Sequence, residues 1–321
     1  MKFGILTVIA VGAVLVAMAV GAVPMPFDTV LQGALHPGSE AGRIIWALRM
    51  PRIVLAFLVG GSLGVSGAAL QALVRNPLAE PYLLGISGGA GLGAVAAIAL
   101  GLSGIAGVPA AAFGGALASS MVVYSVAAVQ GVRLEPRVLV LVGVIVAAFC
   151  GAITSALLTV SSEAVLRNAF LWLLGGFGTA SWPAVVVFLA YATLPLLALF
   201  GAARSLDLLS LGDESASALG LPIESTKRFV FVVTALLTAA SVAVSGMIGF
   251  VGLVAPHLLR GWLGPLHRRL LPAVFIGSGA LLVTADAVAR TVFRPAELPV
   301  GAITALIGVP LFAVLLRRSL V

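Results

Sequence analysis

Long apolar stretches, separated by short polar or charged ones, recur along the whole chain. A helix of about 20 apolar residues, at 1.5 Å per residue, crosses a hydrocarbon core of roughly 30 Å. Such stretches must be helical because lipid offers no hydrogen-bond partner to an open backbone. The pattern predicts ten helical segments: residues 3–23, 53–74, 83–102, 108–129, 138–160, 183–203, 229–247, 250–259, 271–289 and 299–316.

Two of these segments need separate treatment. Segment 250–259 is too short to span a membrane alone, so we expect either a half-helix supported by protein or a broken segment that ends near Pro256. Segment 3–23 follows Lys2 as a signal peptide would, but it is longer than the roughly 7–15 apolar residues of such peptides. We therefore expect it to be retained as the first helix.

Composition agrees with this pattern. The chain of 321 residues is 61% hydrophobic and 9% charged, with a mean hydropathy of +1.21, far outside the usage of soluble globular proteins. We predict an all-α polytopic membrane protein with a single transmembrane permease domain, residues 1–321. The single cysteine, Cys150, lies in an apolar segment and excludes an intrachain disulfide.

The basic residues indicate an orientation in the membrane. They stand singly or in pairs at the ends of the apolar segments, which argues against nucleic-acid binding despite an isoelectric point of about 10.7. Ten segments place both termini on one side. With the termini inside, twelve basic residues lie at inner segment ends and six at outer ends. The positive-inside rule favours this arrangement, with both termini cytoplasmic.

A weak internal repeat accompanies the segments. Shifting the chain by 179 residues without gaps aligns 49–85 with 228–264 and gives eleven identities in 37 positions. The second and seventh segments are five apart, so the two copies would run in opposite directions, as in the inverted repeats of many transporters. Chance similarity between helices rich in small residues is the alternative.

One polar island interrupts the apolar pattern, because residues 204–228 hold seven charged side chains in 25 positions. Asp213 and Glu214 suit the positive N-terminal end of a short helix running to about Leu219, with Ala216 and Ala218 on its small apolar face. A glycine at 220 can end this helix, and a proline at 222 can open the next short helix. A short helix of this kind suits a groove in a partner, so we interpret the island as the contact that transmits movement from a cytoplasmic partner that drives transport.

The chain lacks the residues that several other functions would require. Lys2 and Lys227 are the only lysines and neither follows a glycine, so the chain has no Walker A motif and any ATP must be hydrolysed by another chain. The glycines of residues 85–97 lack the strand and the acidic residue of a dinucleotide site, and we expect them to pack helices closely. The three histidines are dispersed, and no catalytic constellation is present. We predict a transport subunit that is not an enzyme and has no metal or cofactor of its own.

Charged residues near the predicted outer ends allow two interpretations. Asp286 and Arg290 stand four apart, in the favoured order for a helical ion pair, and form either a structural salt bridge or a contact with a partner. Arg43, Arg49 and Arg52 cluster before the second segment. They form either a solvated helix end or an electropositive dock for an acidic soluble partner.

Five stretches together resemble one family. They are RMPRIVLAFLVGGSLGVSGAALQALVRNPLAEPYLLGISGGAG (49–91), WLLGGFG (172–178), LGDESASALGLP (211–222), GMIGFVGLVAPHLLR (246–260) and ADAVARTVFRPAELPVGAITALIGVPLF (285–312). The chain resembles the permeases of ATP-binding-cassette (ABC) importers for iron chelates, haem and vitamin B12, the FecCD-like group. The match runs in register over nearly the whole chain, with R-N-P-L-A-x-P, G-F-x-G-L-x-x-P-H and A-E-L-P-x-G as specific patterns.

The resemblance implies partners and their contact residues. It implies a homodimer in membrane lipid, two cytoplasmic ATPase subunits that hold ATP and Mg²⁺, and a periplasmic or lipid-anchored substrate-binding protein. The periplasmic arginines that dock this protein match Arg49, Arg52 and Arg290. The cytoplasmic gate matches Leu134, Glu135 and Pro136, and the ATPase-docking coupling helices match Leu211, Gly212, Asp213, Glu214, Ser215, Ala218, Leu219, Gly220, Leu221 and Pro222.

The resemblance also implies import by alternating access across a bacterial inner membrane, along a path for which segments 138–160 and 299–316 are our candidates. We expect an iron chelate, either a siderophore complex or haem, as the cargo, with vitamin B12 as the alternative. A secondary transporter driven by an ion gradient is a further alternative. It requires a carboxylate or histidine cluster within the membrane, and only Asp286 is available there.

Overall fold

The computed structural model describes residues 1–21, 24–102, 106–128, 135–294 and 296–319. Helices dominate these ranges and no strand occurs in them, which confirms the all-α prediction. The helices are α1 (Lys2–Ala19), α2 (Phe27–Leu35), α3 (Glu40–Ile44), α4 (Met50–Val74), α5 (Ile86–Ala99), α6 (Gly107–Ala127), α7 (Pro136–Thr159), α8 (Glu163–Leu174), α9 (Trp182–Gly201), α10 (Ala203–Ser210), α11 (Asp213–Ala218), α12 (Ile223–Ser245), α13 (Val251–Leu263), α14 (His267–Ala289) and α15 (Val300–Ser319).

Each of the ten predicted segments overlaps one of these helices. In the described part of the chain, 7 helices are long and apolar enough to cross a membrane: α1, α6, α7, α9, α12, α14 and the continuous helix Glu40–Val74, which joins α3 to α4 through a π-helical turn. Helix α5 is apolar but has only 14 residues, the shorter apolar stretch in α15 is Val300–Val314, and α13 has 13 residues. Ten is therefore an approximate count of spanning elements.

Helix α13 settles the two expectations for the eighth segment. It is a half-length helix whose first six residues are all buried, as expected for a half-helix supported by protein. Pro256 lies inside the helix, so the prediction of an end near this residue is wrong. Packing against α4 and α14 outweighs the one backbone hydrogen bond that a proline removes.

The core of the bundle is built around α4. Gly60, Gly61 and Gly64 face α14 so closely that an added Cβ would lie 2.0–2.5 Å from atoms of that helix. A Cβ at Gly67 would lie 1.8 Å from the carbonyl oxygen of Gly252 in α13. The glycines thus bring helices into backbone contact, as small residues do within membranes.

Polar contacts define two opposite faces of the bundle. At the end of α4, Arg75 lies beside Asp213, which also pairs with Lys227, and we name this end the Asp213 face. At the start of α4, Arg52 pairs with Asp286, and we name this end the Asp286 face. The 25 residues of α4 separate the two faces by about 37 Å.

The inverted repeat is visible in the helix lengths. Helices α4 to α7 have 25, 14, 21 and 24 residues, and α12 to α15 have 23, 13, 23 and 20. Helix α4 runs from the Asp286 face to the Asp213 face, and α12 runs the opposite way. The gapless offset of 179 fails beyond Ser245, because residues 67–71 are helical whereas residues 246–250 interrupt the helix before α13.

Candidate functional site

The polar island forms a compact helical structure on the Asp213 face. Helix α10 buries Leu206 and Leu209, and it packs against α4 and α14. Helix α11 then starts at Asp213, and Gly220 turns the chain after it with a φ of +83°. The predicted second short helix is wrong, because residues 223–228 are the first turns of α12. The change from polar to apolar residues there does not interrupt the helix.

Asp213 lies where three helices meet. Its Oδ2 accepts a hydrogen bond of 2.7 Å from Lys227 Nζ, and its Oδ1 lies 4.0 Å from Arg75 Nη2. Lys227 is buried, whereas Asp213 keeps 30% of its side chain exposed. Arg75 ends α4 in the left-handed conformation, with a φ of 52°. The start of α11 is therefore tied to the end of α4 and the start of α12.

The outer surface of the island is partly apolar. Leu211 and Leu219 are 60% and 62% exposed, and Glu214, Ser215 and Ala218 are exposed beside them. Ala216, which the sequence analysis placed on the same apolar face, is instead fully buried. Ala216 packs inward within α11, whereas Leu219 is the C-cap residue beyond the end of the helix.

Two further contacts, which the sequence did not reveal, hold the same face together. Asp207 Oδ1 in α10 lies 2.7 Å from both the backbone nitrogen and Nδ1 of His267, at the start of α14. Arg260 in α13 donates to Gln71 Oε1 in α4 at 3.0 Å. The residues within each pair lie 60 and 189 positions apart, so no local pattern could indicate them.

A cluster of charges occupies the Asp286 face. Asp286 is buried and pairs with Arg290 Nε at 3.0 Å, so the ion pair expected from the four-residue spacing is present. Arg52 also binds Asp286, through Nε at 3.1 Å and Nη2 at 2.9 Å. Through Nη1, Arg52 pairs with Glu297 at 2.9 Å.

The other two guanidinium groups face inward. Arg49 and Arg290 are only 6% and 4% exposed. Arg49 donates to the carbonyl oxygen of Met18, and Arg290 lies 3.4 Å from those of Ala17 and Val20. These carbonyls belong to the C-terminal end of α1, where a helix favours positive charge. Both residues thus clamp α1 to the core, while Arg52 keeps 14% of its side chain exposed.

A cavity of ≈ 1010 Å³ opens beside this cluster. Its lining comes from the Asp286-face parts of α4, α6, α9 and α12, from α8 and the loop after it, and from the segment that leads into α15. Most of the lining is apolar, and within the described part of the chain Arg52 and Glu297 are its charged side chains. Helix α8, which the sequence analysis did not predict, contributes Asn168, Leu171 and Trp172.

A second contact site lies at the interruption between α12 and α13. The hydroxyl of Tyr82 donates to the Ile248 carbonyl at 3.0 Å and accepts from the Ile248 N–H at 2.9 Å. The Phe250 N–H donates to Glu80 Oε1 at 2.5 Å, and Phe250 has a φ of 68°. The connection between α4 and α5 therefore holds the matching connection of the second repeat.

The predicted gate residues 134–136 stand at or just before the start of α7 in the sequence. Leu134 lies outside the described residues, Glu135 is the exposed N-cap of α7, and Pro136 is its first residue. Among the described residues, α15 is preceded by cavity-lining positions, whereas α7 contributes none. The described ranges contain no group of three or more His, Cys, Asp or Glu residues that could hold a metal ion.

Comparison with known proteins gives consistent matches over the full length. A model of the FecCD transport family matches residues 7–318. The cobalamin import system permease BtuC of Halobacterium salinarum is 43% identical over 300 residues, which cover 92% of this chain and 80% of that protein. The hemin transport system permease HmuU of Yersinia pestis is 38% identical, with coverage of 99% and 96%.

Two further matches extend the comparison. The Fe(3+) dicitrate transport system permease FecD of Escherichia coli is 36% identical, covering 98% of this chain and 97% of that protein. A solved inward-facing conformation of a metal-chelate type ABC transporter is 31% identical, covers 98% of both chains and has a TM-score of 0.86.

Proposed function

The chain belongs to the FecCD transport family of ABC importer permeases, and we propose that it carries a metal chelate from the periplasm to the cytoplasm by alternating access. The observation that carries the proposal is the cavity of ≈ 1010 Å³ on the Asp286 face. This volume is at the upper end of the about 300–1,000 Å³ typical of small-molecule pockets, which suits a cargo larger than most metabolites. Its largely apolar lining suits passage without tight binding.

The cargo that we favour is an iron chelate, either a siderophore complex or haem. Relatives named for hemin and for Fe(3+) dicitrate support this choice. A corrinoid is the second candidate, because a relative named for cobalamin has higher identity to this chain. All three cargoes are organic ligands that hold a transition-metal ion.

The Asp213 face is the proposed cytoplasmic side, where a separate ATPase subunit hydrolyses ATP with Mg²⁺. The exposed Leu211 and Leu219 of the island, flanked by Glu214 and Ser215, suit a groove in such a subunit. The island, residues 204–228, is then the coupling region within one permease domain. Because Asp213 is tied to α4 and α12, a push on α11 reaches both halves of the repeat.

The Asp286 face is the proposed periplasmic side, where a substrate-binding protein docks. Arg49, Arg52 and Arg290 outnumber the carboxylates of Asp286 and Glu297 by three to two, so the cluster attracts an acidic surface. Arg49 and Arg290 are buried, so they add to the positive potential of the cluster rather than contact the binding protein directly. Arg43 and Arg294 are exposed on the same face, where they can contact the binding protein directly.

A homodimer is the proposed assembly, with both termini of each copy in the cytoplasm of a bacterium and the chain in its inner membrane. Helix α7 supports this assembly, because it exposes a row of large apolar side chains. These are Leu141, Val144, Ile145 and Phe149. A second copy covers such a face, and lipid covers the remaining apolar surface. The gate proposed at 134–136 precedes this helix directly.

The test measures how each cargo stimulates ATP hydrolysis by a reconstituted complex. The complex contains this permease with the ATPase and the binding protein encoded by neighbouring genes. We expect a ferric siderophore or haem to raise hydrolysis and to accumulate inside vesicles. Stimulation by cobalamin alone would assign the second candidate. Uptake driven by an ion gradient without ATP would contradict the importer proposal and identify a secondary transporter.

A further inference from the structure

A groove of ≈ 540 Å³ lies where the two ends of the polar island come together. Its lining comes from the last turn of α9, the start of α10 and the first two turns of α12. Toward the Asp213 face the lining carries three hydroxyl groups, those of Ser205, Ser225 and Thr226. The other lining residues are apolar, and they are Ala198, Gly201, Ala202 and Phe229.

Two of these hydroxyl groups are available to a ligand. Ser225 Oγ donates to the Pro222 carbonyl at 3.1 Å. The hydroxyl groups of Ser205 and Thr226 make no hydrogen bond to any residue that the structure describes. Both side chains are half-buried, so a ligand in the groove can reach them. The described lining contains no carboxylate, which leaves the groove open to an anion.

The apolar end of the groove continues into a surface of exposed large apolar side chains. On α12, Phe229 is exposed and Val232 follows it three residues later on the same side of the helix. On α9, Leu194 and Leu197 are exposed, each four residues before a residue that lines the groove. In a membrane protein such a surface is covered by acyl chains, so the groove leads from lipid to polar groups.

Two arginines stand beside the hydroxyl groups. Arg204 directly precedes Ser205, and Arg228 follows Ser225 by three residues, about one helical turn. Both are exposed, and neither forms an ion pair with a residue in the described ranges. Arg228 lies 6.0 Å from the centre of the Tyr124 ring, which leaves its guanidinium hydrogen atoms free for an acceptor. The groove thus combines cations and hydroxyl groups at one end with an apolar wall at the other.

We propose that this groove binds one anionic phospholipid per permease. Its phosphate oxygens accept hydrogen bonds from the hydroxyl groups and the two arginines, and an acyl chain lies along the apolar end. A zwitterionic lipid carries the same phosphate beside an ammonium group, which the arginines repel. Because the groove joins the two ends of the island, the bound lipid holds together the segments that carry α11. The inference goes beyond the proposed function and does not depend on the cargo.

Native mass spectrometry of the delipidated full-length permease, alone and with its ATPase, tests the site. The probes are phosphatidylglycerol, which is anionic, and phosphatidylcholine with the same acyl chains. Arg204→Gln and Arg228→Gln remove a charge. Gly201→Leu fills the groove, and an added Cβ there meets no atom within 4 Å, so this variant should fold. The matched controls are Arg268→Gln, at an exposed arginine at the start of α14, and Gly12→Leu, at an equally open position in α1.

Phosphatidylglycerol should bind at least about tenfold more tightly than phosphatidylcholine, with saturation at one copy per permease. Each of Arg204→Gln and Arg228→Gln should weaken this binding about fivefold, as expected for one basic residue near an anionic headgroup. Gly201→Leu should abolish it, and neither control should change it. If one arginine variant fails to fold, the other and Gly201→Leu still test the site.

Three results would overturn the site: equal binding of the two lipids, unchanged binding of phosphatidylglycerol to Gly201→Leu, and equal losses in the control variants. If inorganic phosphate binds as tightly as phosphatidylglycerol, the apolar end contributes nothing and the lipid assignment is wrong. If the ATPase displaces the lipid, the groove is a contact with that protein and the proposal also fails. None of these results bears on the proposed function, because no cargo is present in the measurement.

Discussion

Lys227 Nζ lies 2.7 Å from Asp213 Oδ2, and this contact joins the first turns of α11 and α12. The lysine is buried, so its ammonium group depends on this carboxylate and on its other contacts for stabilisation. The pair gives α11 a direct side-chain contact with α12, a helix of 23 residues.

Asp213→Asn should destabilise the protein by about 1–3 kcal/mol, because the buried ammonium group loses its carboxylate while the hydrogen bond is only partly replaced. Thermal unfolding in detergent measures this change. Glu214→Gln is the control, since Glu214 is exposed in the same turn. Equal unfolding temperatures for the two variants would show that Asp213 does not stabilise the start of α12.

Arg290→Gln should loosen α1. The variant removes the contacts with the Ala17 and Val20 carbonyls, and it leaves Asp286 with Arg52 as its remaining arginine. We expect faster hydrogen exchange in the last turn of α1 and a loss of about 1.5–3 kcal/mol in stability. Arg294→Gln should change neither quantity. Unaltered exchange in α1 would disprove the clamp.

Tyr82→Phe should weaken the connection between the two repeats. The hydroxyl both donates to and accepts from Ile248, so its removal leaves two backbone groups without this partner and costs about 1–3 kcal/mol. Faster hydrogen exchange at residues 246–250 measures the effect. Tyr191→Phe is the matched control, because Tyr191 is more than half exposed. The same increase in both variants would rule out a specific role for Tyr82.

Gly67→Ala should destabilise the protein strongly, whereas Gly114→Ala should be neutral or slightly stabilising. The first change places a Cβ 1.8 Å from a carbonyl oxygen of α13, and the second meets no atom within 4 Å. Alanine in an open helix position gains about 0.5–1 kcal/mol over glycine, whereas a backbone clash forces two helices apart. The yield of folded protein and the unfolding temperature distinguish the two variants. Similar values would mean that α4 and α13 do not depend on this contact.

Sequence reasoning located the helices that hydropathy can reveal and missed those that it cannot. Helix α8 has 12 residues and includes Glu163, Arg167 and Asn168, so it never reaches the length or apolarity of a membrane span. Its boundaries were nevertheless marked, by Ser162 before the first residue and Gly175 after the last. A search for caps, rather than for apolar length, would have found it.

The candidate sites likewise contain some contacts that a local pattern predicts and others that only the fold creates. The spacing of Asp286 and Arg290 predicted their ion pair, because four residues make one helical turn. The pair of Arg52 with Asp286 joins positions 234 apart, and only the packing of α4 on α14 brings them together. Nothing in the sequence pattern indicates that the Arg49 side chain is buried, since a basic residue at a helix end usually faces water.

Helix α4 carries an ion-pair site near each end, Arg52 with Asp286 and Glu297 at one and Arg75 with Asp213 at the other. Between them, glycines seat it closely against α13 and α14. In mechanical terms the helix is a stiff strut about 37 Å long with little compliance along its axis. We therefore expect a displacement of its Asp213 end to reach the cavity with little loss.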